Sequence, residues 1–528
     1  MTKRIAYFLF TISILVFWSS CRKDFEFDLS SGNLEFSKDT VYLDTVFSNI
    51  GSSTYNLKVY NNSDNDIVIP TVRLSQGENS MYRLNVDGMT GSGAISGKEF
   101  ENVEILAKDS MYIFIETTID IQQLVSNETQ FLYTDAIEFD SGTNLQKVEL
   151  VTLVKDAVFI YPQRFQNSEG EYITETLTFD IDGDGMDDET AIEGRFLNDS
   201  ELTFTNEKPY VIYGYAAVDD GKTLNIEAGA RVHFHANSGL LVTSGGSINA
   251  LGNVSVDEEL MEGEIIFEGD RLEPGFSDVP GQWQTIWLFN GSTNNTFNHV
   301  TIRNSTIGVL SEGNQDDNTK LNITNTQIYN SSNFGILGRA TSITAENLVI
   351  NNSGQSSFAG TFGGKYNVTH STLVNYWNNS FRQFPSVLLN NYIMDEHNTT
   401  FTNPLEEANF TNTIIYGNDN PEMLLDKDND ATFNFKFTNC LIRFVDSNNN
   451  FTGAEYDFDN ASLYENVLFN EDPEFLDPFS NKLQIPNDSP ADGFGIMAGN
   501  LFSDILGTMR GTPSDLGAYE SIEFEEED

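Results

Sequence analysis

Asp180, Asp182 and Asp184 occupy the first, third and fifth places of a short loop, Gly185 the sixth and Asp188 the ninth. Alternate carboxylates ahead of a glycine let a tight turn point several oxygens at one hard cation. The Met186 backbone carbonyl is a further ligand, and Glu189 and Glu193 are candidate completers. Ala191 stands where an EF-hand places its bidentate Glu, so a full helix-loop-helix site is not expected. The spacing points to a structural calcium ion that stiffens the segment containing the loop.

Other reactive residues form no complete set. His233 and His235 flank Phe234 and share one face of a strand, with no third metal ligand in view; His299, His370 and His397 are scattered. Glycoside hydrolysis needs two carboxylates across a cleft. Glu346 stands alone in its strand, and Arg303 has no evident acidic partner in the neighbouring repeats. Trp283, Trp287 and Trp377 have the chemistry to stack on sugar rings, and equally to fill a core. Cys440 has no partner for a disulfide, so packing and backbone hydrogen bonds must carry stability.

The elements that would position these residues come from a returning phrase. It reads Val-Thr-Ile-Arg-Asn-Ser at 300–305, Thr-Gln-Ile-Tyr-Asn-Ser at 326–331 and Leu-Val-Ile-Asn-Asn-Ser at 348–353, with degenerate copies at 372–376, 413–417 and 440–444. The apolar anchors are Ile302, Ile328, Ile350, Val374, Ile415 and Ile442. A period in the twenties with one strand core per repeat is the mark of a solenoid. The long gap between Val374 and Ile415 holds two short coils or one coil with an insertion. Stacking would pile the isoleucines inside and set Asn304, Asn330 and Asn352 at one corner, hydrogen-bonding along the axis. Function is then left to outward positions such as Arg303, Gln327 and Val349.

Several stretches resemble known families. Leu224-Asn-Ile-Glu-Ala-Gly-Ala-Arg-Val-His-Phe resembles the entry coils of right-handed parallel β-helices of the pectin-lyase-like class, and Asp515-Leu-Gly-Ala-Tyr-Glu520 resembles their C-terminal signature. That likeness implies a cap over the last coil. The run Asn49-x-Gly51, Leu57-x-Val59-x-Asn61 resembles Hydin-like immunoglobulin-type modules. The Asp-rich loop is similar to short calcium loops of extracellular β-rich proteins.

Composition agrees with an all-β chain: Phe and Tyr number 40 and 20. Lys+Arg is 28 against Asp+Glu 79, a formal charge of −51, which excludes nucleic acid and an anionic lipid surface as partners. The expected layout is a signal peptide at 1–20, a tether at 21–32 and an immunoglobulin-like β-sandwich at 33–156. A connector with the Asp-rich loop follows at 157–205, then a right-handed parallel β-helix with its cap at 206–520 and a frayed acidic tail at 521–528.

Lys3 and Arg4 precede an apolar run at 5–18 that is too short to span a bilayer, and the run ends in Trp18-Ser-Ser-Cys21. This resembles a bacterial lipobox, and implies acyl chains on Cys21 that anchor the protein in the outer membrane. Arg22-Lys-Asp-Phe-Glu26 resembles the export signal of surface-displayed lipoproteins. Three functional readings remain open: a non-catalytic scaffold that offers a β-helix flank to a glycan or surface protein, a polysaccharide lyase or hydrolase, and a structural spacer.

Overall fold

The computed structural model describes residues 26–92, 96–120, 130–140, 142–166, 168, 170–499 and 501–524. The chain divides into two units between Asp156 and Ala157.

The first unit is a β-sandwich. One sheet contains Asp28–Leu29, Ile67–Leu74, Gln130–Phe139, Gln146–Lys155 and Thr40–Phe47, with Glu99–Ile105 paired to Ile67–Leu74. The other contains Glu35–Phe36, Tyr55–Tyr60, Ser110–Thr117 and Tyr82–Val86. Alternation decides which side chains go inside: Leu57 and Val59, then Ile113 and Ile115, face a core shared with Ile69, Val72, Ile137 and Val148.

The second unit is a parallel β-helix with three faces. On the first, Val232, Phe267, Ile302, Ile328, Ile350, Leu373, Ile415 and Ile442 stack in register. On the second, Leu240, Ile286, Val309, Ile336, Phe358, Val387 and Met423 do the same. Ile226, Ala250, Phe297, Ile323, Ala345, Val368, Phe410 and Phe437 fill the third. The anchor expected at Val374 is in fact Leu373; Val374 points outward. The long gap is a single coil, because Val368 pairs with Phe410 and the extra residues include a hairpin of Tyr392–Met394 and Thr400–Thr402.

Residues 157–205 are not a connector. Val158–Ile160 pairs in parallel with Tyr210–Ile212, and Thr203–Phe204 pairs with 225–226, so the segment forms the first coil. Ile160, Leu197 and Phe204 belong to the continuous core.

Two corners carry polar ladders. Asn330 donates to Asn304 and Asn352 donates to Asn330, each at 3.3 Å, as the repeat implied. A second corner, between the third and first faces, holds His299, Asn325, Asn347, His370, Asn412, Asn439 and Asn466, all with φ between +46° and +53°. Asparagine tolerates this left-handed conformation better than most residues. Two of the five histidines are therefore corner residues: Asn412 Nδ2 lies 2.8 Å from His370 Nε2, and burial pushes the His370 imidazole down to about 3.

The C-terminal signature does not cap the last coil. Leu483, Ile485, Ala491, Ile505, Leu516, Ala518 and Tyr519 lie along the first face, against Tyr329, Val349, Val374, Ile414, Tyr416 and Leu441. Corner asparagines lash this strap down: Asn347 donates to Ser503 O at 3.0 Å, Asn412 to Ile496 O at 2.7 Å and Asn439 to Phe494 O at 2.8 Å. Arg510 bridges Glu520 at 2.8 Å and Asn347 at 2.7 Å. The segment expected to fray is held as far as Ile522, whose N–H donates to Ile485 O at 2.9 Å; 525–528 lie outside the described residues. The last coil is closed instead by aromatics, with Phe458 within 5.0 Å of Phe444 and Tyr464 and 4.5 Å of Phe469.

Gly517 has φ +87°, and a Cβ there would lie 2.7 Å from Thr372 Oγ1 and 3.0 Å from Ile414 Cδ1. Gly517→Val is therefore expected to weaken strap docking by about 1–3 kcal/mol. Amide exchange across 483–522 should quicken while exchange in the 321–353 coils stays slow; equal protection in both proteins would refute this account of the strap.

Candidate functional site: a cleft on the solenoid flank

Side chains alternate along a strand, so residues on either side of the stacked anchors point outward on the first face. One outward column runs Arg231, Ile266, Thr301, Gln327, Val349 and Thr372. The flanking column includes His233 beside Glu268 and Arg303 beside Tyr329. Both columns change character along the axis. Their C-terminal members are largely apolar and lie under the strap, and their N-terminal members are mostly polar. Where the cover stops, a cavity of about 640 Å³ opens. Thr301, Arg303, Gln327 and Tyr329 line its floor with Glu264, the 252–263 loop supplies Glu258 and Glu259, and the strap supplies Tyr519 and Gln484.

Three sets of contacts shape the cleft. Arg231 donates to Glu264 O and Met261 O, each at 2.7 Å, which fastens the base of the 252–263 loop. Burial pushes the Glu264 carboxyl above its ordinary range, against the opposing effects of the Thr301 hydroxyl and the Arg231 charge. Thr301 Oγ1 donates to Glu264 Oε2 at 2.5 Å. Tyr329 donates to Gln327 Oε1 at 2.6 Å, and burial raises both the Tyr329 and Tyr519 phenols. Glu268 behaves in the opposite way to Glu264. Burial alone would raise it, but the charges of His233 and Arg303 outweigh burial and hold it below its usual range. Arg303 Nε is 2.7 Å from Glu268 Oε2, and His233 Nδ1 is 3.5 Å from Oε1.

Arg303 thus has the acidic partner that it was expected to lack. Gln327, expected to face outward, lines the cleft, whereas Val349 is fully buried beneath the strap. His233 and His235 share no metal site: each has its own carboxylate in the next coil, with His235 Nδ1 at 2.7 Å from Asp270. His397 is exposed near the tip of the hairpin insertion.

The tryptophans are not a sugar platform. Trp283 is 0% exposed and stacks on Phe234 inside the solenoid, with ring centroids 4.2 Å apart. Trp377 is buried and donates to Ser380 at 3.1 Å. Trp287 is half-buried, packs edge-on to Phe289 and donates to Glu312 at 2.6 Å. Cys440 lies in the core, where burial pushes its thiol up to about 12.

The Asp-rich loop is the tip of a hairpin made by Thr176–Phe179 and Asp188–Phe196. Leu177 and Phe179 dock the hairpin on Ala217, Leu241 and Phe289 of the second face. An ion here would stiffen that hairpin and not a connector. Oxygens of Asp180, Asp182 and Asp188 lie within 4.8 Å of one another, a cluster that could hold a metal ion. Asp184 is outside it and accepts instead from the Met186 N–H at 2.8 Å. The Met186 side chain is exposed. Cys21 lies outside the described residues.

Glu264 and Tyr519 were not legible as site residues. Glu264 follows an irregular loop that breaks the repeat, and Tyr519 is 192 residues from its neighbour Gln327. The one available signal was the pair Glu264 and Glu268, which alternation puts on one side of a strand.

No protein-family model matches the chain, and no curated protein matches it in sequence. Among solved structures, a PapD-like domain of human CEP192 is 12% identical, with 24% of this chain and 86% of that one covered and a TM-score of 0.15. The E. coli chaperone DraB is 11% identical over 28% of this chain and 83% of its own, with a TM-score of 0.16. A GH87 alpha-1,3-glucanase catalytic domain in complex with tetrasaccharides is 9% identical over 74% and 61%, with a TM-score of 0.19. Likenesses this distant carry no argument, and the fold described above rests on strand pairing and burial.

The His235–Asp270 pair sets a pH dependence. The hydrogen bond that His235 donates to Asp270 raises the His235 pKa above 6.5 in the folded protein. Its stabilising contribution is therefore full below that value and is lost as pH rises through the higher folded one. Melting temperature is expected to fall over that window in the wild type and to fall less in His235→Gln; parallel curves would refute the coupling.

Proposed function

We propose that this chain is a lipid-anchored cell-envelope protein whose β-helix flank binds a glycan or a surface protein without transforming it. The observation that carries the binding reading is the cleft. Its floor comes from successive coils, one wall from the 252–263 loop and the other from the strap, so three separate parts of the chain converge on one cavity of mixed polar and apolar lining. Charged groups that would otherwise be free for catalysis are tied up in structural pairs, as Glu268 is with Arg303.

The anchor reading rests on Trp18-Ser-Ser-Cys21 behind the short apolar run, and display outside the outer membrane rests on the Arg22–Glu26 segment. The immunoglobulin-like resemblance of the sandwich, to Hydin-like modules, belongs to this reading as a spacer near the membrane. Calcium is the ion that best suits the hairpin tip, since all three clustered ligands are carboxylates and hard oxygen donors favour it.

One observation favours an enzyme instead: Glu264 is held toward its neutral form beside Glu258, which contributes to that shift. A polysaccharide-degradation screen decides between the two readings, because release of new reducing ends or unsaturated products would refute non-catalytic binding.

Cys21→Ala is expected to move the protein from membranes to the soluble fraction; continued membrane association would refute the lipid anchor. Calcium added after chelation is expected to raise the melting temperature, and Asp182→Ala to abolish the increase. A calcium response that survives Asp182→Ala would place the ion elsewhere.

A further inference from the structure

We propose that the cleft takes an uncharged, hydroxyl-rich ligand, a neutral saccharide, and that Glu264 donates its carboxyl hydrogen to a ligand oxygen. This inference rests on the flank-binding reading and names the ligand class and the residue that selects it.

The hydrogen bonds fix which atom of Glu264 meets the ligand. Gln327 Oε1 accepts from Tyr329 at 2.6 Å and faces Tyr519 at 3.5 Å, so the amide oxygen is committed to the tyrosines. The amide nitrogen is left to approach Glu264 Oε2, at 3.5 Å. Thr301 Oγ1 donates to the same Oε2 at 2.5 Å. Oε2 thus receives two donors, whereas Oε1 has no hydrogen-bond partner among the described residues. A neutral Glu264 then carries its proton on Oε1, at the floor of the cleft. Burial favours this neutral form.

Charge on the ligand is disfavoured from both sides. Glu258, Glu259 and Asp278 line the cavity and repel anions, and the whole chain carries −51. A cation on the floor would meet Arg303, with the Arg231 guanidinium close enough to influence Glu264. The remaining lining mixes hydroxyls and amides, including Ser480, Asn481 and Gln484, with the Lys482 cation and with apolar side chains such as Val254, Ile505 and Leu506. The hydroxyls and amides suit a ligand with many neutral donors and acceptors. The volume of about 640 Å³ lies inside the usual range of about 300–1,000 Å³ for small-ligand pockets.

The experiment uses the full-length protein in detergent on an array of neutral glucans, mannans and xylans, with uronate polymers, sulfated polymers and cationic peptides alongside. Binding confined to a neutral glycan is expected, and the positive glycan is then titrated calorimetrically. Glu264→Gln keeps a donor at this place and is expected to retain affinity within about threefold, whereas Glu264→Leu loses about tenfold, the worth of one hydrogen bond. Wild-type affinity should fall as pH rises and Glu264 ionises, and Glu264→Gln should lack that step. The titratable and charged groups around Glu264 are Glu258, Glu259, Asp278, His299, Arg303, Tyr329, Lys482 and Tyr519 of the cavity lining, together with the Arg231 charge, and all are unchanged in the Gln variant. If Glu264→Leu does not fold, the comparison of wild-type and Gln pH profiles decides. Binding only to uronates, sulfated polymers or cationic peptides would overturn the inference. A neutral glycan bound equally by wild type and Glu264→Leu would also overturn it, and would leave the flank-binding reading in place. If no glycan binds, the inference falls together with the glycan half of the flank-binding reading.

Discussion

Parallel coils stack about 4.8 Å apart, and every backbone group at a coil's edge must find its partner in the next coil. This constraint governs the second unit. A residue in one coil must suit the same place in its neighbours, so inward positions become continuous aliphatic and aromatic columns. Corners must turn without breaking the ladder, and the second corner does so with a left-handed residue in every coil from His299 to Asn466. The corner amides do two jobs. They bond along the axis, as Asn330 does to Asn304, and outward to the strap, as Asn412 does to Ile496.

The strap follows from that arrangement. A β-helix face is normally buried on one side only, but Val349, Val374, Ile414 and Leu441 make the outer side of the first face apolar over several coils. That surface needs cover, and residues 483–522 provide it. The Asp515–Glu520 motif is built for the task. Asp515 accepts from the Gly493 and Ser521 N–H groups at 2.6 Å each, Gly517 allows close approach, and Glu520 holds Arg510. Its role is lateral cover, and the aromatic group around Phe458 closes the open end.

The same double burial explains what the sequence concealed. Where the outer side is polar, as at Thr301-Ile302-Arg303, alternation is plain and the anchor is legible. At Leu373-Val374 both sides are buried, alternation disappears, and Val374 is mistaken for the anchor. Arg303 was legible as an outward residue, but its partner Glu268 was not, because the irregular 252–263 loop shifts the spacing of those coils. Trp283 was ambiguous because a tryptophan that stacks on Phe234 in a core and one that stacks on a sugar look alike in sequence. The first coil was read as a connector because its strands are short and an antiparallel hairpin interrupts them.

Cleft and strap are therefore one design problem with two outcomes along a single face. Tyr519 sits at the boundary. It packs with the apolar group that includes Tyr329 and Val349, and its hydroxyl faces Gln327. Replacing Thr301 and Gln327 by aliphatic residues would carry the apolar stripe further and invite a longer strap. Keeping them polar leaves this part of the face, beside Glu264, lining the cleft and not lying under the strap. The place where outward residues change from aliphatic to hydroxyl and amide thus marks where structural cover ends and the cleft begins, and Glu264 lies on the cleft side of that line.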